Sequence, residues 1–370
     1  MNSEHGPLII AEAGVNHNGD VDLAIELIDA AAEAGAHCVK FQSFKASAIA
    51  SKNAAKANYQ TKTTDESESQ LSMLQKLEIS SKTHKVLIER CQQKNIRFLS
   101  SAFDLGSLSL LSEELKLDTL KLGSGELTNA PMLLAAARSG MKLLLSTGMG
   151  SLSEVEEALG VIAFGILNEN EPSKRKDFAD ALLNPEVWKV MQLRVTLLQC
   201  TSEYPSAFED SNLRVMATLR SAFGLEVGFS DHTVGNAMSI AAAALGASVI
   251  EKHFTLDKTM SGPDHAASTE PREFADLVRD IRAVSAGLGN GIKQPCKAEL
   301  DNRSAVRKRV VAVHDLNAGQ RISENDITVK RANGGVSAMD YWDCLGRTLV
   351  RPIQADSPIT QEDMSWTNDP

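Results

Sequence analysis

Basic residues are in short supply in this chain: 38 Lys and Arg stand against 48 Asp and Glu over 370 residues, a formal charge of −10. Nucleic-acid binding and attachment to anionic lipid both depend on clustered cations, so neither is expected. No apolar run approaches the ~20 residues of a membrane span, and the opening Met-Asn-Ser-Glu-His-Gly-Pro lacks the basic-then-apolar order of a secretory leader. A cytoplasmic protein is expected. Cysteine is scarce too. The five thiols, Cys38, Cys91, Cys200, Cys296 and Cys344, form no C-x-x-C pair, which argues against a disulfide framework and a thiolate zinc site. Also missing is a Gly-x-Gly-x-x-Gly turn after the first hydrophobic run, the mark of a dinucleotide-binding doubly wound sheet.

What is present is a regular alternation. Eight hydrophobic runs of strand length, Leu8–Gly14, Cys38–Phe44, Ile96–Phe103, Thr119–Gly125, Lys142–Thr147, Val195–Thr201, Glu226–His232 and Ser248–Phe254, are separated by helix-period stretches such as Val21–Ala34, Ser81–Lys94, Asn236–Leu245 and Pro271–Leu288. Strict βα alternation gives parallel strands, and eight such units match a (β/α)8 TIM barrel of about 250 residues. Two stretches interrupt the repeat. Lys45–Ser80 follows a strand and so emerges at the C-terminal face, where a long loop reads as a substrate cover. Asn168–Gln192 follows a helix and belongs to the opposite face. Beyond Gly291 the pattern changes to a charged segment, Lys293–Arg309, and short strands at Arg309–His314, Ile327–Val329 and Thr348–Pro352. The expected organisation is a barrel over residues 1–290, a linker over 291–302 and a small β-rich domain over 303–366.

Residues i and i+2 of a strand share a face, and one face of a barrel strand points inward. This parity puts Glu12 in phase with Leu8 and Ile10, Lys40 with Gln42, Ser101 with Leu99, Lys121 with Gly123, Ser146 with Leu144, Ser230 with His232, and Glu251 with His253. Nearly all fall late in their strands. Buried charge is costly unless paired, so a polar cluster at the C-terminal mouth points to a polar ligand. A lone strand histidine is ordinarily a hydrogen-bonded core residue. His232 and His253, however, end adjacent strands and can converge on one ion with positions left open. Lys40 and Lys121 read either as structural partners of Glu12, Glu126 or Glu251, or as binders of an anionic, phosphorylated substrate, with Ser124, Ser146 and Ser230 donating to its oxygens. The Gly123-Ser124-Gly125-Glu126 turn adds backbone N–H groups.

The segments Ile10–Gly19 (IAEAGVNHNG), Val39–Ala46 (VKFQSFKA), Leu145–Met149 (LSTGM), Ser230–Thr233 (SDHT), Glu251–Thr255 (EKHFT) and Ser261–His265 (SGPDH) resemble the sialic acid synthase family. The tail, notably Val329–Gly335 (VKRANGG), resembles its antifreeze-like SAF domain. The resemblance implies condensation of phosphoenolpyruvate with an open-chain N-acylated hexosamine, N-acetylmannosamine or a 2,4-diacetamido-6-deoxy hexose, to a nine-carbon 2-keto acid and phosphate. By matching residues, His232 and His253 hold Mn²⁺ or a similar divalent ion such as Mg²⁺ or Co²⁺. Lys40, Lys121, Ser124, Ser146 and Ser230 bind phosphoenolpyruvate, with Ser101 and Ser202 beside it. Glu12, Gln42, Tyr204 and Asp264 bind the sugar, Glu126 assists proton steps, and Arg331 reaches the sugar of a partner subunit in a homodimer whose SAF domain covers the neighbouring barrel. Two departures stand out. Ser100-Ser101-Ala102-Phe103 replaces the common Ser-Thr-Pro-Phe, and Ser202 occupies the place of Asn or Thr.

Two other readings are open to the residues. A strand-end lysine, Lys40 or Lys121, can form a Schiff base in a barrel aldolase. A non-catalytic role of the tail in ice or surface binding leaves the polar mouth unexplained.

Overall fold

Eight parallel strands close on themselves in chain order: β1 (Leu8–Gly14), β2 (Cys38–Ser43), β3 (Arg97–Ala102), β4 (Thr119–Leu122), β5 (Lys142–Ser146), β6 (Val195–Cys200), β7 (Glu226–Asp231) and β8 (Val249–His253). The computed structural model describes residues 6–51 and 69–365. The start of the segment compared with a secretory leader, the middle of the expected substrate cover (residues 52–68) and residue 366 of the expected second domain lie outside the described residues. Among the described residues no helix is long and apolar enough to cross a membrane.

Alternation along each strand builds two cores. Outward residues such as Ile9, Ala11, Val39, Phe41, Leu120, Leu145, Val227 and Ile250 pack against the helices. Inward residues Ile10, Cys38, Leu99, Leu144, Leu198 and Val249 form a separate apolar layer inside the barrel. The helices present the matching stripe. In Val21–Glu33, Asp20 caps the amides of Asp22 and Leu23, while Ala24, Leu27, Ile28 and Ala31 recur on one face and are buried. The helix Pro271–Leu288 opens on proline and buries Phe274, Leu277, Val278 and Ile281. Each fully buried leucine or isoleucine contributes about 1.5–3 kcal/mol by leaving water.

Strand ends come slightly earlier than the hydrophobic runs. The clearest case is β4, which stops at Leu122 because the chain turns at Gly123 into the short 3-10 turn Ser124–Glu126. That turn faces Ser124 into the barrel mouth.

The chain divides into two compact units, Met1–Gly289 and Asn290–Pro370. In the second, a solvent-exposed helix spans Lys297–Val306, and β9 (Lys308–Ala312) pairs antiparallel with β10 (Ile327–Arg331). Its own core contains Val310, Leu316, Ile322, Ile327, Leu349, Ile353 and Ile359. The strand expected at Thr348–Pro352 is instead a set of isolated bridges, Thr348 with Arg321 and Leu349 with Met364. Pro352 has no N–H to extend a ladder. Arg331 closes β10 opposite Lys308 and is exposed.

Candidate active site

Above the inner apolar layer the same strands turn polar, and their C-terminal ends line a cavity of about 330 Å³. Its centre is a buried ion network. Glu251 on β8 meets the Lys121 ammonium at 3.0 Å and lies 3.6 Å from that of Lys40, while the Ser230 hydroxyl donates to it at 2.8 Å. Lys40 is also paired with Glu12 and donates to the Ser101 hydroxyl at 3.1 Å. All four charged side chains are at most 5% exposed. Opposite charges at this depth offset each other's desolvation, which is why none can be removed alone without cost.

Two glycines allow side chains to gather on either side of this network. Gly14, at a register shift in β1 and with φ of +53°, leaves a space that a Cβ would fill 3.2 Å from Glu12 Oε1, 3.4 Å from Gln42 Nε2 and 3.8 Å from Asp264 Oδ2. Three oxygen- and nitrogen-bearing groups therefore converge there. At Gly148 a Cβ would lie 2.5 Å from Ser202 Oγ, 2.7 Å from Ser124 Oγ and 3.0 Å from Cys200 Sγ, and the Gly148 N–H donates to Ser124 at 3.1 Å. Here hydroxyls and a backbone donor converge, a pattern suited to anionic oxygens.

At the ends of β7 and β8, the rings of His232 and His253 lie 5.5 Å apart, with the Tyr204 ring 4.2 Å and 5.3 Å from them. His232 donates its Nδ1–H to the Thr201 carbonyl at 2.5 Å, so its Nε2 carries a lone pair. His253 Nδ1 is buried and has no hydrogen-bond partner among the described residues. Burial drives the pKa of His232 down to about 4 and that of His253 well below its ordinary value, so both are neutral imidazoles. Neutral, oriented imidazoles fit a divalent cation. No cluster of three or more His, Cys, Asp or Glu suited to a metal occurs among the described residues, so such an ion would keep positions open to water or substrate.

Comparison with known proteins gives this cavity a lineage. The NeuB family pattern matches residues 27–293. This chain belongs to the NeuB family. The SAF domain pattern matches residues 307–364, within the second unit. Among NeuB-family relatives, the N,N'-diacetyllegionaminic acid synthase of Campylobacter jejuni is 49% identical over 96% of this chain and 99% of that protein. The Legionella pneumophila protein of the same name is 40% identical over 96% of this chain and 93% of its own. A solved N-acetylneuraminic acid synthetase from Leptospira borgpetersenii is 33% identical, covers 80% of this chain and 90% of its own, and superposes with a TM-score of 0.65.

Most residues singled out from the sequence line this NeuB-family cavity: Glu12, Lys40, Gln42, Ser101, Lys121, Ser124, Ser146, Ser202, Tyr204, Ser230, His232, His253 and Asp264. Glu126 does not line it. It follows Ser124 and Gly125, is half-buried, and accepts a 2.6 Å hydrogen bond from Asn129; burial raises its pKa against that bond. Arg331 belongs to the second unit. Sequence reasoning left Glu251 as one of three eligible partners for the lysines, and the barrel's closure makes it the bridge. It also passed over Phe44, Ile49, Met73, Leu74, Leu77 and Phe103, which line one wall. The apolar spacing of Met73 and Leu77 was the available signal.

The electrostatics are uneven. Burial pushes Lys40 down to about 7, with Glu251 pulling it back up and Lys121 adding repulsion. Burial alone would raise Glu251, but the Lys121 and Lys40 charges hold it well below the carboxylate range. Asp264, with only the Lys40 charge to oppose its burial, is raised to about 6.

Proposed function

We propose that the protein condenses phosphoenolpyruvate with the open-chain form of an N-acylated hexosamine and water, releasing a nine-carbon 2-keto sugar acid and phosphate. The observation that carries this is one cavity that holds a buried network of Lys40, Lys121, Glu12 and Glu251, hydroxyls gathered at Gly148, the polar groups of Glu12, Gln42 and Asp264 gathered at Gly14, and two neutral histidines, in a NeuB-family chain. Lys40 and Lys121 bind the phosphate and carboxylate of phosphoenolpyruvate, and Ser101, Ser124, Ser146, Ser202 and Ser230 donate to the remaining oxygens. Glu12, Gln42, Tyr204 and Asp264 hold the sugar. His232 and His253 would hold a divalent cation, Mn²⁺ or one like it, which when bound polarises the aldehyde oxygen. Carbon 3 of the enol phosphate then attacks the aldehyde carbon, and Glu12 and Glu251 stabilise the positive charge left at carbon 2 until water adds there and phosphate leaves. Glu126, next to the cavity-lining Gly125, assists the water or proton steps.

The chain works as a cytoplasmic homodimer in this reading, with the SAF domain of one subunit covering the barrel mouth of the other. Leu105, Met149, Phe208 and Val234, all within eight residues after the end of a barrel strand, are more than half exposed and give such a cover an apolar seat. The exposed Arg331 is the group such a cover would bring to the sugar. Mixing Arg331→Ala with His232→Ala chains tests this: activity returns on mixing when sites are shared between subunits, and stays absent when each lid serves its own barrel.

The main test is incubation with phosphoenolpyruvate, Mn²⁺ and a panel of N-acylated hexosamines, following phosphate release and product mass. A product equal to acceptor plus phosphoenolpyruvate and water, less phosphoric acid, is expected. No phosphate release with any acceptor, together with borohydride trapping of a keto acid on Lys40, transfers the protein to the Schiff-base aldolases.

A further inference from the structure

The carboxylate that Asp264 brings to the cavity makes no hydrogen bond among the described residues, so its place is set by its own backbone rather than by a partner. That backbone belongs to the loop after β8, and the loop is laced to the turn after β1. In the turn, Asn16 is fully buried, and its side-chain N–H groups donate to the Phe254 carbonyl and to the Ser268 hydroxyl, each at 2.9 Å. Ser268 in turn donates to the Asp264 carbonyl at 2.7 Å. Two residues on, the Asn18 side chain donates to the Ser261 carbonyl at 2.9 Å, and its oxygen meets His265 Nε2 at 3.3 Å. An amide oxygen can only accept, so His265 donates from Nε2, and its Nδ1 accepts the Thr255 hydroxyl proton at 2.6 Å. Gly262 lets loop and turn approach this closely: a Cβ there would lie 2.7 Å from both Asn18 Oδ1 and His265 Cδ2.

Asn16 holds the loop at a cost. Its Oδ1 is buried without a hydrogen-bond partner among the described residues, a penalty that folding alone gives no reason to keep. Turning the amide round brings no relief, since it would set the oxygen against the Phe254 carbonyl. What the asparagine secures is geometry. The Phe254 N–H donates to the Glu12 carbonyl at 2.7 Å, so the same tie sets the β8 loop against the strand that carries Glu12. Glu12, Gln42 and Asp264 then come together at Gly14, two residues before Asn16.

We infer that Asn16, acting through Ser268, is a positioning residue for Asp264: it fixes the Asp264 backbone so that the carboxylate stays beside Glu12 and Gln42 and grips the acceptor sugar. The inference rests on the synthase reading above and adds to it a residue that lies outside the cavity lining and touches neither substrate.

Steady-state kinetics with phosphoenolpyruvate, Mn²⁺ and either N-acetylmannosamine or a 2,4-diacetamido-6-deoxy hexose, whichever is turned over faster, supply the test. Ser268→Ala, which leaves the bond from Asn16 to Phe254 in place, is expected to raise the acceptor KM roughly three- to tenfold and to leave the phosphoenolpyruvate KM within about twofold. Asn16→Ala is expected to do at least as much, and if it fails to fold, Ser268→Ala decides alone. A double-mutant cycle separates positioning from packing: in an Asp264→Ala background, Ser268→Ala is expected to change the acceptor KM by no more than about 1.5-fold. Where Asp264→Ala is too slow to follow, the cycle is read as acceptor affinity by titration calorimetry on the chelated enzyme with phosphoenolpyruvate bound. An unchanged acceptor KM, an equal rise in both KM values, or the same factor with and without Asp264 overturns the inference and leaves the synthase reading standing. Turnover of no acceptor by the unaltered protein overturns that reading and the inference with it.

Discussion

Along β8, Val249 belongs to the apolar layer, while Glu251 and His253, two and four residues later on the same face, carry charge and lone pairs; β3 runs from Leu99 to Ser101 and β5 from Leu144 to Ser146 in the same way. The lower half of the barrel interior is therefore hydrocarbon and the upper half is a network of buried ions, although both are made by the same strands. Two residues separate them. The lower layer stabilises the fold by excluding water, and the upper one costs stability that only its internal pairing and its substrates offset. Changes in one half are expected to show in stability and in the other half to show in turnover.

The largest expected effect is at the mouth. His232→Ala or His253→Ala, or exhaustive chelation of the unaltered protein, should lower phosphate release on the order of 10³-fold, since Lewis-acid assistance is worth several kcal/mol. Denaturant midpoints should stay where they are. Full turnover by a chelated sample contradicts the cation reading. In the lower layer, Leu144→Ala should destabilise by about 2–5 kcal/mol in urea melts and leave the KM for phosphoenolpyruvate within about twofold. A large KM change there would dissolve the division between halves. Lys121→Ala should weaken phosphoenolpyruvate binding roughly tenfold or more through loss of a charge-assisted contact worth about 1.5–3 kcal/mol, in addition to the stability lost by taking one partner from buried Glu251. Titration calorimetry giving equal affinities would remove Lys121 from the anion site.

The smallest effect concerns Asp264, whose carboxyl is raised from 3.8 to about 6 chiefly by burial. Between those values the native state keeps a proton that the unfolded chain has released, so this group makes stability fall as pH rises through that window. Asp264→Asn removes the dependence. Thermal midpoints of the variant, relative to the unaltered protein, should climb between pH 4 and pH 6. Parallel curves would mean that Asp264 ionises normally.

Much of this arrangement is legible in the chain, because period-two alternation is a local property. Parity alone groups Lys40 with Gln42 and Glu251 with His253, and the strand-helix rhythm supplies the closed sheet. Three things needed coordinates. Which carboxylate bridges the lysines depends on ring closure, since Glu12, Glu126 and Glu251 are equivalent as sequence. Glu126 is turned aside by the bend at Gly123, which interrupts the parity count just where the site begins. The apolar wall belongs to helices in a long loop, where alternation says nothing and where short helices give little periodic signal.

The ion network also has an accounting of its own. Lys40 and Lys121 face Glu12 and Glu251, two positive charges against two negative when all are ionised, so the network offers no net positive charge to a polyanion. An incoming phosphate ester must therefore bring counter-charge with it or draw it from solvent. Lys40, held near 7 by burial, is the nearest reservoir, because an anion beside it restores the affinity for a proton that burial removed. Ligand entry above pH 7 thus takes up hydrogen ions, and the heat of binding depends on the ionisation enthalpy of the buffer.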